Sequence, residues 1–169
     1  MTRFIASASQ GEIRGAGRRA PCVFGKAGLI AALDKREGDQ ASPIGVWPIR
    51  RAFFRSDRLS RPDTALRLDA IAPEDGWCDA PADPAYNRLV RLPYPASAET
   101  MTREDGLYDL VVVLGHNDDP AHPGLGSAIF LHCMAEDGAG TLGCVATARA
   151  ALIGLLGEMA PGDCVEITP

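Results

Sequence analysis

The chain reads as a mainly-β sandwich with one firm helix packed beside it. Three observations carry this reading. Short stretches of alternating apolar and polar residues recur along most of the 169 residues, separated by Gly, Pro and Asp. One segment, 108–114, is almost continuously apolar and suits a buried strand. Only near the C-terminus does a helical period hold, with Leu152, Leu155, Leu156 and Met159 on one stripe. At this length one domain, residues 1–169, can bury a sizeable core.

Taken in order, residues 3–8, 11–15 and 20–24 form short strands joined by Gly turns, and 26–30 continues this β-rich start. Residues 36–45 are a polar turn whose Pro43 and Gly45 bend the chain and present Val46-Trp47-Pro48-Ile49 as an edge strand. Arg50, Arg51 and Arg55, interleaved with Phe53 and Phe54, make either an exposed basic strand or a carboxylate-reading surface. Residues 66–71 alternate cleanly, and 73–84 form a Pro- and Asp-rich loop carrying Trp77, Cys78 and Asp79. Residues 96–103 suit a short helix with Glu99 and Arg103 at i, i+4. Residues 126–133 are a strand with Ala128, Phe130 and His132 on one face and Ile129, Leu131 and Cys133 on the other. A loop, 134–142, reverses the chain through Gly138 and Gly140. Thr147 then caps the helix, and 161–163 turn into a last strand, 164–167.

The formal net charge of -5 argues against a nucleic-acid binder. Charge is uneven: residues 1–70 hold 13 Lys/Arg against 7 Asp/Glu, and residues 71–169 hold 4 against 15. Either the basic half guides a carboxylate-rich ligand or the two halves are differently charged solvated faces. No segment approaches the ~20 apolar residues of a membrane-crossing helix. Residues 1–10 lack the apolar core of a secretory signal. Five cysteines, at spacings matching no disulfide framework, fit a reducing compartment. The sequence thus predicts a cytoplasmic protein with neither nucleic acid nor membrane as partner.

Two side chains carry nucleophilic chemistry. His132 ends a predicted strand, and Cys144 lies on the next element after Gly143, a residue that lets backbone approach closely. A thiolate is a nucleophile, and a nearby imidazole lowers its pKa or takes its proton. The same pair also fits a core histidine bonded to a carbonyl and a small buried thiol. Spacing alone leaves both readings open. His116, His122, His132, Cys133 and Cys144 fall into no zinc spacing, so no metal and no cofactor is expected.

This stretch resembles the L,D-transpeptidase (YkuD) catalytic domain, whose motif is a strand-end His, a variable loop and Ser/Thr-x-Gly-Cys. The matching residues are His132, Thr141, Gly143 and Cys144. The upstream segment Lys35-Arg36-Glu37-Gly38-Asp39-Gln40-Ala41-Ser42-Pro43-Ile44-Gly45-Val46-Trp47-Pro48-Ile49-Arg50 is similar to that family's G-x-(S/T)-P-x-G-x-(F/W)-P-(I/L) segment, in the same order along the chain. The resemblance implies a YkuD-like β-sandwich with one or two helices beside the active site, and acyl transfer on peptidoglycan stem peptides. Cys144 would attack the L-centre carbonyl of diaminopimelate in a murein tetrapeptide and expel the terminal D-Ala. His132 would serve as base and then as acid, and the N–H groups around Gly143 and Cys144 would hold the oxyanion. A third group should orient His132, and the sequence does not name it. Leu142 stands where the family has His, and Ala146-Thr147 where many members have Arg-Leu or Arg-Asn, so the grip on the donor carboxylate differs.

Water as acceptor would make the protein an L,D-carboxypeptidase of peptidoglycan recycling. An amine from a second stem would make it a cross-linking L,D-transpeptidase, and a third alternative is a non-catalytic muropeptide-binding module. The cytoplasmic expectation favours water. The partner in each case is a murein tetrapeptide or muropeptide. The candidate substrate contacts are His116 and Asn117 after the buried strand, Thr141 in the box, and Arg103, which either reads a carboxylate or pairs with Glu99. Tyr86, Asn87 and Trp47 either touch the stem or sugar or pack. Cys133, facing away from His132, is expected to be structural.

Overall fold

The computed structural model describes residues 1–169. The early alternation folds as predicted into β1 (Arg3–Ser7), β2 (Glu12–Gly15) and β3 (Arg18–Val23), antiparallel in sequence. β4 (Leu29–Ala31) leads through a turn of 3-10 helix into β5 (Ser42–Phe54), a strand of 13 residues. Then come β6 (Leu68–Ala70), β7 (Asp75–Cys78), β8 (Leu89–Arg91), β9 (Ala98–Thr100), β10 (Leu110–Leu114), β11 (Phe130–Cys133) and β12 (Val145–Thr147). The one α-helix, α1 (Arg149–Leu156), and β13 (Cys164–Thr168) complete the chain. No helix is long and apolar enough to cross a membrane.

Segment 46–49, expected at an edge, is interior. The first half of β5 pairs with β13 and the second half with β10. Pro48 sits at the switch between these partners, where the donor a proline lacks falls between two ladders; its carbonyl accepts the Gly115 N–H at 2.8 Å. Through β5 the sheet returns on itself in the order β10-β11-β12-β3-β2-β1-β13-β5 and back to β10. Its facing layers enclose a core of Phe4, Ile13, Leu110, Leu131, Val165 and Ile167, into which α1 sets Leu152, Leu155 and Leu156. Three residues of the predicted stripe form the helix's buried face, and the fourth, Met159, is buried just beyond the helix end.

Three further expectations are corrected. Residues 96–103 contain strand β9 rather than a helix, and Trp77 lies on β7 rather than in a loop. An isolated short helix is marginal, whereas pairing β9 and β8 with β7 gives their backbones partners in a separate three-stranded sheet. That sheet is tied to the main one by Trp77, whose ring meets Phe130 edge-on at 5.0 Å. Thr147 is also not the helix cap. It ends β12, where its Oγ1 donates to the Pro21 carbonyl at 2.7 Å, and α1 starts after Ala148 without a side-chain cap.

Phe130 is therefore the hinge of a second apolar cluster that includes Phe53, Trp77, Tyr108 and Cys144. Phe130→Ala is expected to destabilise the protein by about 3–5 kcal/mol, the usual range for emptying an aromatic core site. Leu142→Ala, at a side chain 69% exposed, should stay within about 0.5 kcal/mol. Urea unfolding of both variants checks the contrast.

Candidate active site

β11 and β12 run parallel, with Leu131 opposite Val145 and His132 opposite Ala146. Strand alternation then sends Leu131, Cys133 and Val145 into the main core. His132, Cys144 and Ala146 share the other face, on the lining of a cleft of about 490 Å³. The small Ala146 side chain keeps the space beside His132 open. Cys133 faces away from His132, as the alternating register required.

His132 is held by backbone. Its Nδ1–H donates to the carbonyl of Cys133 at 2.8 Å, which leaves Nε2 as a bare acceptor. Tyr108 meets the ring edge-on at 5.4 Å. The orienting group that the sequence could not name is thus a peptide carbonyl, which no side-chain pattern would reveal. Burial disfavours the imidazolium and lowers the His132 pKa to about 4.

The Cys144 thiol donates to the Ala128 carbonyl at 3.1 Å, and the Phe130 N–H points at its sulfur from 3.4 Å. Burial pushes this thiol up to about 12; the Phe130 amide, Lys35 and Arg103 oppose the rise and Glu99 adds to it. At neutral pH the pair is therefore a neutral thiol and a neutral imidazole.

The turn before Cys144 is braced from two sides. Thr141 Oγ1 donates to the Cys144 carbonyl at 2.7 Å and accepts the Gly143 N–H at 3.1 Å. Ser42 Oγ donates to the same carbonyl at 2.8 Å and accepts the Gly25 N–H at 2.9 Å. Gly143 has φ +134°, and an added Cβ would lie 3.2 Å from the Ala41 carbonyl oxygen, so the turn requires glycine. These bonds revise one expectation: the Gly143 N–H is engaged inside the turn. The Cys144 N–H makes no hydrogen bond within the protein and remains free to donate.

The other candidates divide. Thr141 lines the cleft, yet its hydroxyl is used in the brace. Arg103 also lines the cleft; Asp105 holds its guanidinium (Nε to Oδ1 3.0 Å), with Glu99 at 4.0 Å. His116, Asn117, Tyr86 and Trp47 are not on the cleft lining. His116 and Asn117 latch the segment after β10, while the Trp47 indole N–H donates to the Pro43 carbonyl at 3.0 Å. His116 Nε2 lies 2.9 Å from the Leu125 carbonyl, and Trp47 packs edge-on against the His116 ring at 4.7 Å. The Asn117 amide donates to the carbonyls of His122 at 3.0 Å and Gly126 at 2.9 Å. Tyr86 donates to Glu37.

Several site residues escaped the sequence reading. Ser42 lay inside the upstream segment, and its hydroxyl is the contact that joins that segment to Cys144. Asn87, expected either to touch the stem or sugar or to pack, does the latter: its side-chain oxygen accepts the Ala128 N–H at 3.0 Å and the Trp77 indole N–H at 2.9 Å, which fixes the peptide that receives the thiol. Tyr108, Glu99, Asp79 and Glu37 line the cleft, and only the fold brings their distant segments together.

A family model described as the L,D-transpeptidase catalytic domain (YkuD) matches residues 9–167. The chain belongs to this family. Among solved structures the chain is similar to Mycobacterium tuberculosis L,D-transpeptidase 1, at 12% identity and TM-score 0.45. The match covers 99% of this chain and 62% of that one, so the chain spans less than two thirds of that protein's length. A search of curated proteins finds no match.

The buried, neutral His132 carries a pH signature. Its pKa is about 4 in the folded state against 6.5 in the unfolded chain, so between these values the unfolded state binds more protons and stability falls as pH falls. The shift of roughly 2.5 units corresponds to about 3 kcal/mol, lost progressively from about pH 6.5 down to about pH 4. His132→Gln should show that much less acid destabilisation than wild type in urea titrations across this range. Parallel slopes for the two proteins would contradict the assignment.

Proposed function

We propose that this YkuD-family protein is a cysteine-dependent acyl-transfer enzyme. It cleaves the L,D bond between diaminopimelate and the terminal D-Ala of murein tetrapeptides, with water as acceptor. The observation that carries the reading is a thiol and a bare imidazole nitrogen on one cleft wall, next to an amide N–H with no other partner.

The chemistry follows from the resting state. With thiol and imidazole both neutral, Cys144 turns from the Ala128 carbonyl and attacks the L-centre carbonyl as His132 Nε2 takes its proton. The Cys144 N–H donates to the developing oxyanion. Collapse of the tetrahedral intermediate breaks the C–N bond, and the Nε2–H protonates the departing D-Ala amine. Water, deprotonated by the same nitrogen, then hydrolyses the thioester. The cleft wall suits a zwitterionic stem terminus, since Lys26 and Arg103 lie on it together with Glu37, Asp79 and Glu99.

Water is favoured as acceptor by its concentration, because an amine must be positioned to compete with it. Five unpaired cysteines support a reducing compartment, the cytoplasm, where freed wall fragments are trimmed. In the cross-linking alternative an amine of a second stem takes the acyl group.

Cys144→Ala is expected to lower turnover of a free murein tetrapeptide by at least about 10³-fold with the fold intact. His132→Ala should fall comparably, and the double variant should be no slower, because a base and its nucleophile act as a unit. Near wild-type turnover by Cys144→Ala would remove the nucleophile.

The acceptor is tested separately by mass analysis of products at rising concentrations of a second stem. Tripeptide plus free D-Ala should dominate throughout. Dominant dimer would replace the hydrolase reading with the cross-linking one, and no turnover at all would favour a binding module.

A further inference from the structure

Lys35 is the least exposed charged residue of the chain, at 2%, and no step above uses it. A buried ammonium is unfavourable unless it is paired and hydrogen-bonded. Here Nζ pairs with Asp39 and donates to the Arg36 carbonyl at 3.0 Å. Asp39 is fixed in turn, accepting the N–H groups of Arg36 at 2.8 Å and Ala41 at 2.9 Å.

The lysine stem runs between two glycines of positive φ, Gly126 and Gly143. A Cβ on Gly126 would lie 3.1 Å from both Cγ and Cε of Lys35, and one on Gly143 would lie 3.6 Å from its Nζ. The ammonium thus rests against the backbone of the residue that precedes Cys144. Asp39 is not among the atoms nearest that point, so the lysine is the pole of the pair that faces the turn.

We infer that Lys35 is a positioning residue for the nucleophile, its buried ammonium seating the Gly143-Cys144 turn and stabilising negative charge on the Cys144 sulfur. This rests on the reading of Cys144 given above. A fixed cation in a poorly solvated region favours a nearby anion far more than a solvated one does. The other groups that face the sulfur are the Phe130 N–H and His132 from β11, Glu99 from β9, and Arg103 and Tyr108 from the segment before β10. Glu99 opposes a thiolate, and Arg103 is engaged by Asp105 and 31% exposed. Lys26 lines the same cleft but is exposed, which leaves Lys35 as the buried cation beside the turn.

The test is the pH profile of Cys144 alkylation by iodoacetamide, read on the Cys144 peptide by mass, in wild type, Lys35→Met and Lys35→Arg. Lys35→Met should displace the profile by about one pH unit to higher pH, about tenfold slower at a given pH on the rising limb. Lys35→Arg keeps the charge and should stay within about threefold of wild type. A Met profile that coincides with wild type, or an Arg profile displaced as far as Met, overturns the inference. If Lys35→Met loses its cooperative melt because Asp39 is left unpaired, Lys35→Met/Asp39→Asn removes both charges and carries the same expectation. Wild type that labels at Cys164 and never at Cys144 overturns the inference together with the proposed function. A labelled wild type with an unmoved Met profile removes this inference alone.

Discussion

Parallel pairing of β11 with β12 is the constraint on which the site depends. With Leu131 opposite Val145, the residue before β12 falls beside the start of β11, so the Phe130 amide meets the Cys144 sulfur. A shift of one residue would send His132 into the main core and bring Cys133 to the cleft. Burial of Leu131, Cys133 and Val145 on one side and Phe130 on the other makes such a slip unfavourable. The register is therefore set by the same apolar contacts that stabilise the fold. Ser42 adds a second lock, since its hydroxyl ties β5, the strand through which the sheet closes, to the Cys144 carbonyl.

Burial also decides the electrostatics. It holds the imidazole neutral to about pH 4 and pushes the thiol to about 12, which opposes a resting ion pair. In the proposed reaction proton transfer then accompanies attack, and the site would contribute by orientation: one peptide carbonyl holds the imidazole tautomer, and another receives the resting thiol.

Much of this was legible in the sequence. The alternation of 126–133 gave the correct faces for His132 and Cys133, and Leu152, Leu155 and Leu156 of the helical stripe are the buried face of the helix. The two family-like segments identified the family that the domain match shows. What escaped depends on pairing across the chain. Val46 to Ile49 looked like an edge because its partners, β10 and β13, lie far away in sequence. Residues 98–100 and Trp77 gained their strand state from one another, a tertiary effect that overrides weak local preference. His116, Asn117 and Tyr86 were attractive as polar residues in loops, but loops also latch themselves with such side chains. Glycine at 143 was read as access for an oxyanion, whereas its positive φ and its bond to Thr141 make it a hinge of the brace.

The central claim is that Cys144 carries the acyl group between donor and acceptor. Quenching the protein in acid during turnover of a murein tetrapeptide, then weighing the intact chain and its Cys144 peptide, addresses it most directly. The account predicts an adduct equal to the tripeptide acyl group, confined to Cys144 and released by hydroxylamine as a thioester should be. Product formation with no adduct under any quench time, or an adduct on Cys22, Cys78, Cys133 or Cys164 instead, would contradict it.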